Sequence, residues 1–276
     1  VKVFDENFKK ADILNEALNL ARVEETSLNI PKLCGVTAID GKWAIITEFA
    51  EGETMAKLRG YKGVLDMALA HFRMDEKTLD AMWTAIREAL PELREYFKAK
   101  GRLLGHENGL PFYDLFAPVG HASRTYTVEE ARALLLDLFG RFCPEMGDMM
   151  RAAFDEGWID MYPREGKSGG AFCAGYYEKN ISRVMTNFAG SASDVSTLAH
   201  ELGHAMHSYH SERAQPQEKS DYKIFVAEVA STVNEVLLVK YLLKHTDDPK
   251  VKKYLLSYYM DTLKGKLFRQ TQFAEF

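Results

Sequence analysis

The sequence predicts a mainly α-helical protein with a small β element, preceded by a short α+β segment. Three observations predict it. From residue 56 onward, apolar residues recur at helical spacing almost throughout. Asp40-Gly41, set between two runs rich in β-branched and aromatic residues, is the commonest two-residue hairpin signal and falls in the first 55 residues. Residues 197–207 read as one helix that carries His200-Glu201-Leu202-Gly203-His204.

Taken in order, residues 12–24 show apolar positions at helical spacing behind a capping Asp12, and residues 34–39 and 42–49 form the hairpin. Residues 1–55 therefore read as strand, helix and hairpin, and residues 56–276 as a separate helical region. There, residues 76–90 are amphipathic and Pro91 opens a second helix to about Lys100. Gly101, Gly105 and Gly109 with Pro111 mark a break. Thr127 and Glu130 have capping-box spacing and open a helix through Phe142; Pro144 opens another, closed at Gly157. Residues 166–177 are glycine-rich but lack the order of a phosphate loop, and read as a flexible loop beside a strand at residues 182–188. Ser191 or Ser193, with Asp194 in the first turn, starts the motif helix. Helices at residues 222–245 and 249–276 complete the chain.

Composition narrows the function. The 276 residues are 46% hydrophobic and 27% charged, which suits a globular protein with a real core, and the net charge of −5 without a basic run disfavours nucleic acid. No apolar run is long enough to cross a bilayer, and no signal-peptide pattern opens the chain. Three cysteines, Cys34, Cys143 and Cys173, form no disulfide framework, so a cytoplasmic location is expected. The first residue is Val1 and the last lies inside a predicted helix, from which a piece of something longer is expected.

On a helix His200 and His204 lie one turn apart on one face, where both imidazoles can reach one ion, with Glu201 turned aside but close. This is the H-E-x-x-H pattern of two zinc-binding histidines and a glutamate general base. The plain alternative is a helix with two satisfied histidines and an exposed carboxylate. A catalytic zinc usually takes three protein ligands. His210 has the extended-motif position, but His207 stands where that motif needs glycine. The other source is a carboxylate on a later helix: Glu228 and Glu235 are seven apart, on one face, among small apolar residues where an unpaired charge would be costly.

The segments His200–His207 and residues 225–232, with residues 113–118 upstream and 267–276 downstream, resemble the oligoendopeptidase F branch of the thimet oligopeptidase family of zinc metallopeptidases. The resemblance covers about residues 56–276. It implies a zincin-like helical catalytic domain, with His200, His204 and Glu228 as zinc ligands and Glu201 as general base. Glu235 would orient a ligand histidine, Asp194 would do so or cap its helix, and His207 would back the metal or pack in the core. The implied cofactor is zinc, and the implied reaction is hydrolysis of short oligopeptides, without nucleic acid or membrane as partner. Residues 184–188 could hold a peptide by edge pairing. In this family a His and several Tyr that stabilise the oxyanion lie beyond the region matching Phe276. A chain that binds zinc but cleaves poorly unless a partner supplies the missing lobe is therefore expected, and a non-catalytic metal-binding or structural fragment is the alternative.

Residues 1–55 resemble part of the nucleotide-binding lobe of kinase-like phosphotransferases, with Lys2 on a strand, Glu16 on a helix and residues 47–52 as a hinge. No Gly-rich loop precedes them and no H-R-D or D-F-G segment follows, so phosphoryl transfer would lack its base and its magnesium ligands. They are expected to be a module of unknown role.

Overall fold

A computed structural model describes residues 2–3, 10, 14, 33–39, 42–47, 51–120 and 125–275. The chain forms two compact units, Val1–Glu76 and Lys77–Phe276.

In the first unit, strands β1 (Lys2–Val3), β2 (Leu33–Ile39) and β3 (Lys42–Thr47) make an antiparallel sheet in the order β1-β3-β2. Ile39 pairs with Lys42, as a two-residue connection requires. Ala44 and Ile45 of the central strand are buried. Helices α1 (Glu51–Leu58) and α2 (Val64–Phe72) follow. The expected helix over residues 12–24, with Glu16, and the turn and hinge residues 40–41 and 48–50 lie outside the described residues, apart from residue 14, which is helical.

The second unit is mainly α. Helix α3 (Glu76–Glu88) gives way to α4 (Leu90–Leu103), with Pro91 in its first turn, where a missing N–H breaks no helical bond. After a 3₁₀ turn at Phe112–Asp114 come α5 (Val128–Phe142) and α6 (Pro144–Asp155). Thr127 and Glu130 form the expected reciprocal capping box on α5. Strands β4 (Ile159–Asp160), β5 (Phe172–Tyr176) and β6 (Ile181–Met185) form a second sheet, followed by α7 (Ala192–Ala214), the short α8 (Gln217–Ser220) and α9 (Ile224–Lys244). Helix α10 (Pro249–Leu263) runs into a π-helical stretch at Lys264–Arg269 and ends in α11 (Gln270–Glu275).

Two sequence expectations need correction. The glycine-rich stretch is not all loop, because β5 forms within it and pairs antiparallel with β6. Of residues 184–188, expected to offer a free edge, 184 and 185 belong to β6 and do not: the order β4-β6-β5 puts β6 at the centre, bonded on both sides, and β5 at the edge.

The core packs α5, α6, β6 and α9 around α7. Leu135 and Phe139 of α5, Met150 of α6, and Leu198, Leu202 and Ala205 of α7 have essentially no exposed surface. The α7 residues recur every three to four positions, so one face of that helix is committed to the core and a flank is left for polar groups.

Candidate metal centre

Two helices build the site, and a missing side chain sets their distance. A Cβ on Gly203 of α7 would lie 2.8 Å from the Ala230 carbonyl oxygen and 2.8 Å from Ser231 Cα on α9. Only glycine permits that approach. Asn234 Nδ2 then reaches the Ala199 carbonyl at 3.1 Å, tying α9 to the turn that precedes His200.

This register brings three side chains together. His200 Nε2 and His204 Nε2 stand 3.2 Å apart; Glu228 Oε2 is 3.4 Å from His200 Nε2, and Glu228 Oε1 is 3.7 Å from His204 Nε2. A tetrahedral ion with bonds of about 2.0–2.1 Å separates its donors by about 3.3 Å, so the triangle formed by the two nitrogens and the Glu228 carboxylate is close to the size that such an ion needs. Ser231 Oγ, one turn along α9, donates to Glu228 Oε2 at 2.7 Å.

Glu235 lies two turns beyond Glu228, and its Oε1 accepts from His200 Nδ1. A proton held at Nδ1 leaves the lone pair of Nε2 facing the triangle. Lys266, from the π-helical stretch, donates to the same Glu235 oxygen at 2.5 Å. Burial raises the Glu235 carboxyl, but the hydrogen bonds from His200 and Lys266 outweigh it and hold the group below the usual carboxylate range.

Glu201 follows His200 on α7. It is only 6% exposed and lines an open cleft of about 1000 Å³ together with His200, Glu235, Asn187, Tyr258 and Lys266. Burial pushes its carboxyl up, and the neighbouring Glu228 and Glu235 add to that against the pull of His200. Burial likewise lowers His204, which favours the neutral, ligating form.

The remaining polar residues have other partners. The Asp194 carboxylate accepts from the backbone N–H groups of Ala189 and Ser191, and Ser191 Oγ accepts from the Asp194 N–H, so Asp194 caps α7. His207 stacks on Tyr222 with ring centroids 3.7 Å apart. His210 is exposed, against the edge of Tyr209, and stands outside the cluster. Sequence reasoning missed Ser231 and Lys266. Ser231 was legible as an i+3 neighbour of Glu228; Lys266 carried no signal, since a lysine on an amphipathic helix is ordinary surface.

The sequence pattern of Peptidase family M3 matches residues 39–276. The chain belongs to peptidase family M3. Among its family M3 relatives, an Oligoendopeptidase F homolog of Lactococcus lactis subsp. lactis is 36% identical over 221 residues, covering 80% of this chain and 36% of that protein. Oligopeptidase PepF of Bacillus subtilis is 35% identical over 222 residues, covering 80% of this chain and 33% of that protein. The chain thus spans about a third of the length of the curated relatives it matches. A crystal structure from Chlamydophila abortus, described as that of a candidate peptidase, superposes with a TM-score of 0.71 at 26% identity, over 96% of this chain and 51% of that one. The resemblance to the oligoendopeptidase F branch and the mainly α fold both follow from these matches. No helix among the described residues is long and apolar enough to cross a membrane.

Proposed function

We propose that this family M3 chain holds one zinc ion through His200, His204 and Glu228 and uses it to hydrolyse peptide bonds in short oligopeptides. The observation that carries the reading is the convergence of these donors: the two Nε2 atoms are 3.2 Å apart, and one Glu228 oxygen lies 3.4 Å from His200 Nε2 while the other lies 3.7 Å from His204 Nε2. Two imidazoles and one carboxylate are also the donor chemistry that a catalytic zinc prefers, with a fourth position left free. Bound there, zinc supplies a Lewis acid that polarises a carbonyl and lowers the pKa of water from about 16 to about 7.

The chain's own residues do the rest. Glu235 holds the Nδ1 proton of His200 and so fixes the ring. Glu201 accepts a proton from water at a carboxylate oxygen as the water oxygen bonds to the peptide carbon. It then returns that proton to the amine nitrogen as the C–N bond breaks. Gly170 and Ala171, which lead into β5, line the cleft, so an extended peptide can pair with the free edge of β5 and be held by backbone bonds without strong sequence preference.

The test is zinc stoichiometry together with hydrolysis of an internally quenched short peptide. Glu201→Gln should keep the metal and lose turnover, whereas His204→Ala should lose both. A chain that binds one zinc without any turnover supports the second reading, a non-catalytic metal-binding fragment.

For residues 1–55, the match to the Chlamydophila abortus structure over 96% of the chain supports a role as part of the peptidase lobe. Saturable binding of a nucleotide would revive the phosphotransferase likeness instead.

A further inference from the structure

The π-helical stretch Lys264–Arg269 interrupts an otherwise continuous helix, and such widened turns are rare and cluster at functional sites. Its first residue, Lys264, and Lys100 of α4 share the same two partners. Lys264, only 4% exposed, donates to the Leu115 carbonyl at 3.0 Å and to Asp261 Oδ1 at 3.2 Å. Lys100, 1% exposed, donates to the same carbonyl at 3.0 Å and to Asp261 Oδ2 at 2.7 Å. The widened turn is thereby pinned to the segment that contains Leu115, and Phe116 lies under the Lys264 ammonium at 3.8 Å.

From that anchored turn Lys266 extends to Glu235 Oε1 at 2.5 Å and to within 3.5 Å of His200 Nδ1. The Glu235 side chain is 11% exposed and that of Lys266 is 36% exposed. A nearly buried carboxylate thus has its charge met by a cation whose other flank stays in water. Two donors converge on one oxygen, so the carboxylate cannot swing without losing both.

We propose that Lys266 is a positioning residue of the metal centre: it clamps Glu235 against His200 Nδ1 and so fixes the direction in which His200 Nε2 faces the ion. The inference rests on the zinc reading above and adds a residue to it. Without Lys266, Glu235 keeps only the neutral imidazole N–H of His200 as a partner, in a site where a buried carboxylate needs more than one donor. Partners that orient a ligand histidine are typically worth about ten- to a hundredfold in metal affinity.

The experiment is zinc affinity of the whole chain, measured by competition with a chromogenic chelator, for the parent, Lys266→Met, Lys266→Gln, Lys266→Arg, Glu235→Gln and the double variant Lys266→Met/Glu235→Gln. Thermal unfolding of the metal-free forms reports whether each variant folds. Both neutral variants should bind zinc about ten- to a hundredfold more weakly, with metal-free unfolding close to the parent, and Lys266→Arg should recover part of the loss. The double variant should bind no more weakly than Glu235→Gln alone, because Lys266 acts through that carboxylate. Cobalt(II) in place of zinc should show an altered visible spectrum in Lys266→Met. Parent-like affinity in both neutral variants overturns the proposal, as does a loss that adds in full to that of Glu235→Gln. If His204→Ala also binds zinc like the parent, it is the zinc reading that has failed.

Discussion

Gly203 and Ser231 touch backbone to backbone: a methyl group at position 203 would sit 2.8 Å from Ser231 Cα. That contact sets the spacing of α7 and α9, and the proposed metal centre depends on it, because the histidines ride on one helix and Glu228 and Glu235 on the other. Gly203→Ala should lower stability by about 1–3 kcal/mol or more, as overpacking against unyielding backbone does. It should also weaken zinc binding, although residue 203 contributes no ligand atom. Chemical denaturation and metal titration of the same sample check both.

The proposed ligands and the proposed base are separable by mutation. His204→Ala and Glu228→Ala should each lower zinc affinity by more than about a hundredfold, a larger loss than a group behind the ligands gives. Glu201→Gln should leave affinity near that of the parent while abolishing peptide hydrolysis. Metal content after dialysis, set beside turnover of the quenched peptide, distinguishes the two classes.

The scaffold can be weakened without touching the chemistry. Leu135 of α5 is fully buried, and it lies outside the residues that line the cleft. Leu135→Ala should cost about 2–5 kcal/mol of stability, with zinc affinity of the folded fraction unchanged. Urea unfolding and a zinc titration at low denaturant measure the two quantities.

Acid sensitivity has an identifiable contributor. Arg164 and then Lys167 hydrogen-bond Asp160 at the end of β4 and hold its carboxyl down at about 2. The unfolded-state value is about 3.9. Because the folded value is the lower one, this contribution is present in full above about pH 4 and is lost as pH falls through about 2. Asp160→Asn should therefore flatten the fall of stability over that window and change little near neutral pH. The group is solvent-exposed, so the difference should also shrink in high salt. Unfolding curves collected from pH 5 downward at two salt concentrations check this.

Much of the site was legible because it is local or periodic. His200, Glu201 and His204 are placed by one helical turn, and Glu228 and Glu235 by two, so spacing alone put each set on one face. Ser191 and Thr127 marked their helix starts because capping is chemistry within four residues. What escaped depends on distant partners. The strand β5 forms in a glycine-rich stretch because β6 offers it a ladder, and no local pattern announces that. The π-helical turn at Lys264–Arg269 is stabilised by the Leu115 carbonyl and Asp261, and Lys266 acquires its partner only through that turn. The edge assignment failed for a related reason: strand order is a property of the sheet, and β6 alone does not reveal that both its sides are taken.

The most direct test is a calorimetric titration of zinc into the metal-free chain, repeated with Glu228→Ala. One site per chain is expected for the parent, with affinity reduced by more than about a hundredfold in the variant. Undiminished binding by Glu228→Ala, or no stoichiometric binding by the parent, would contradict a zinc centre formed by two helices meeting at Gly203.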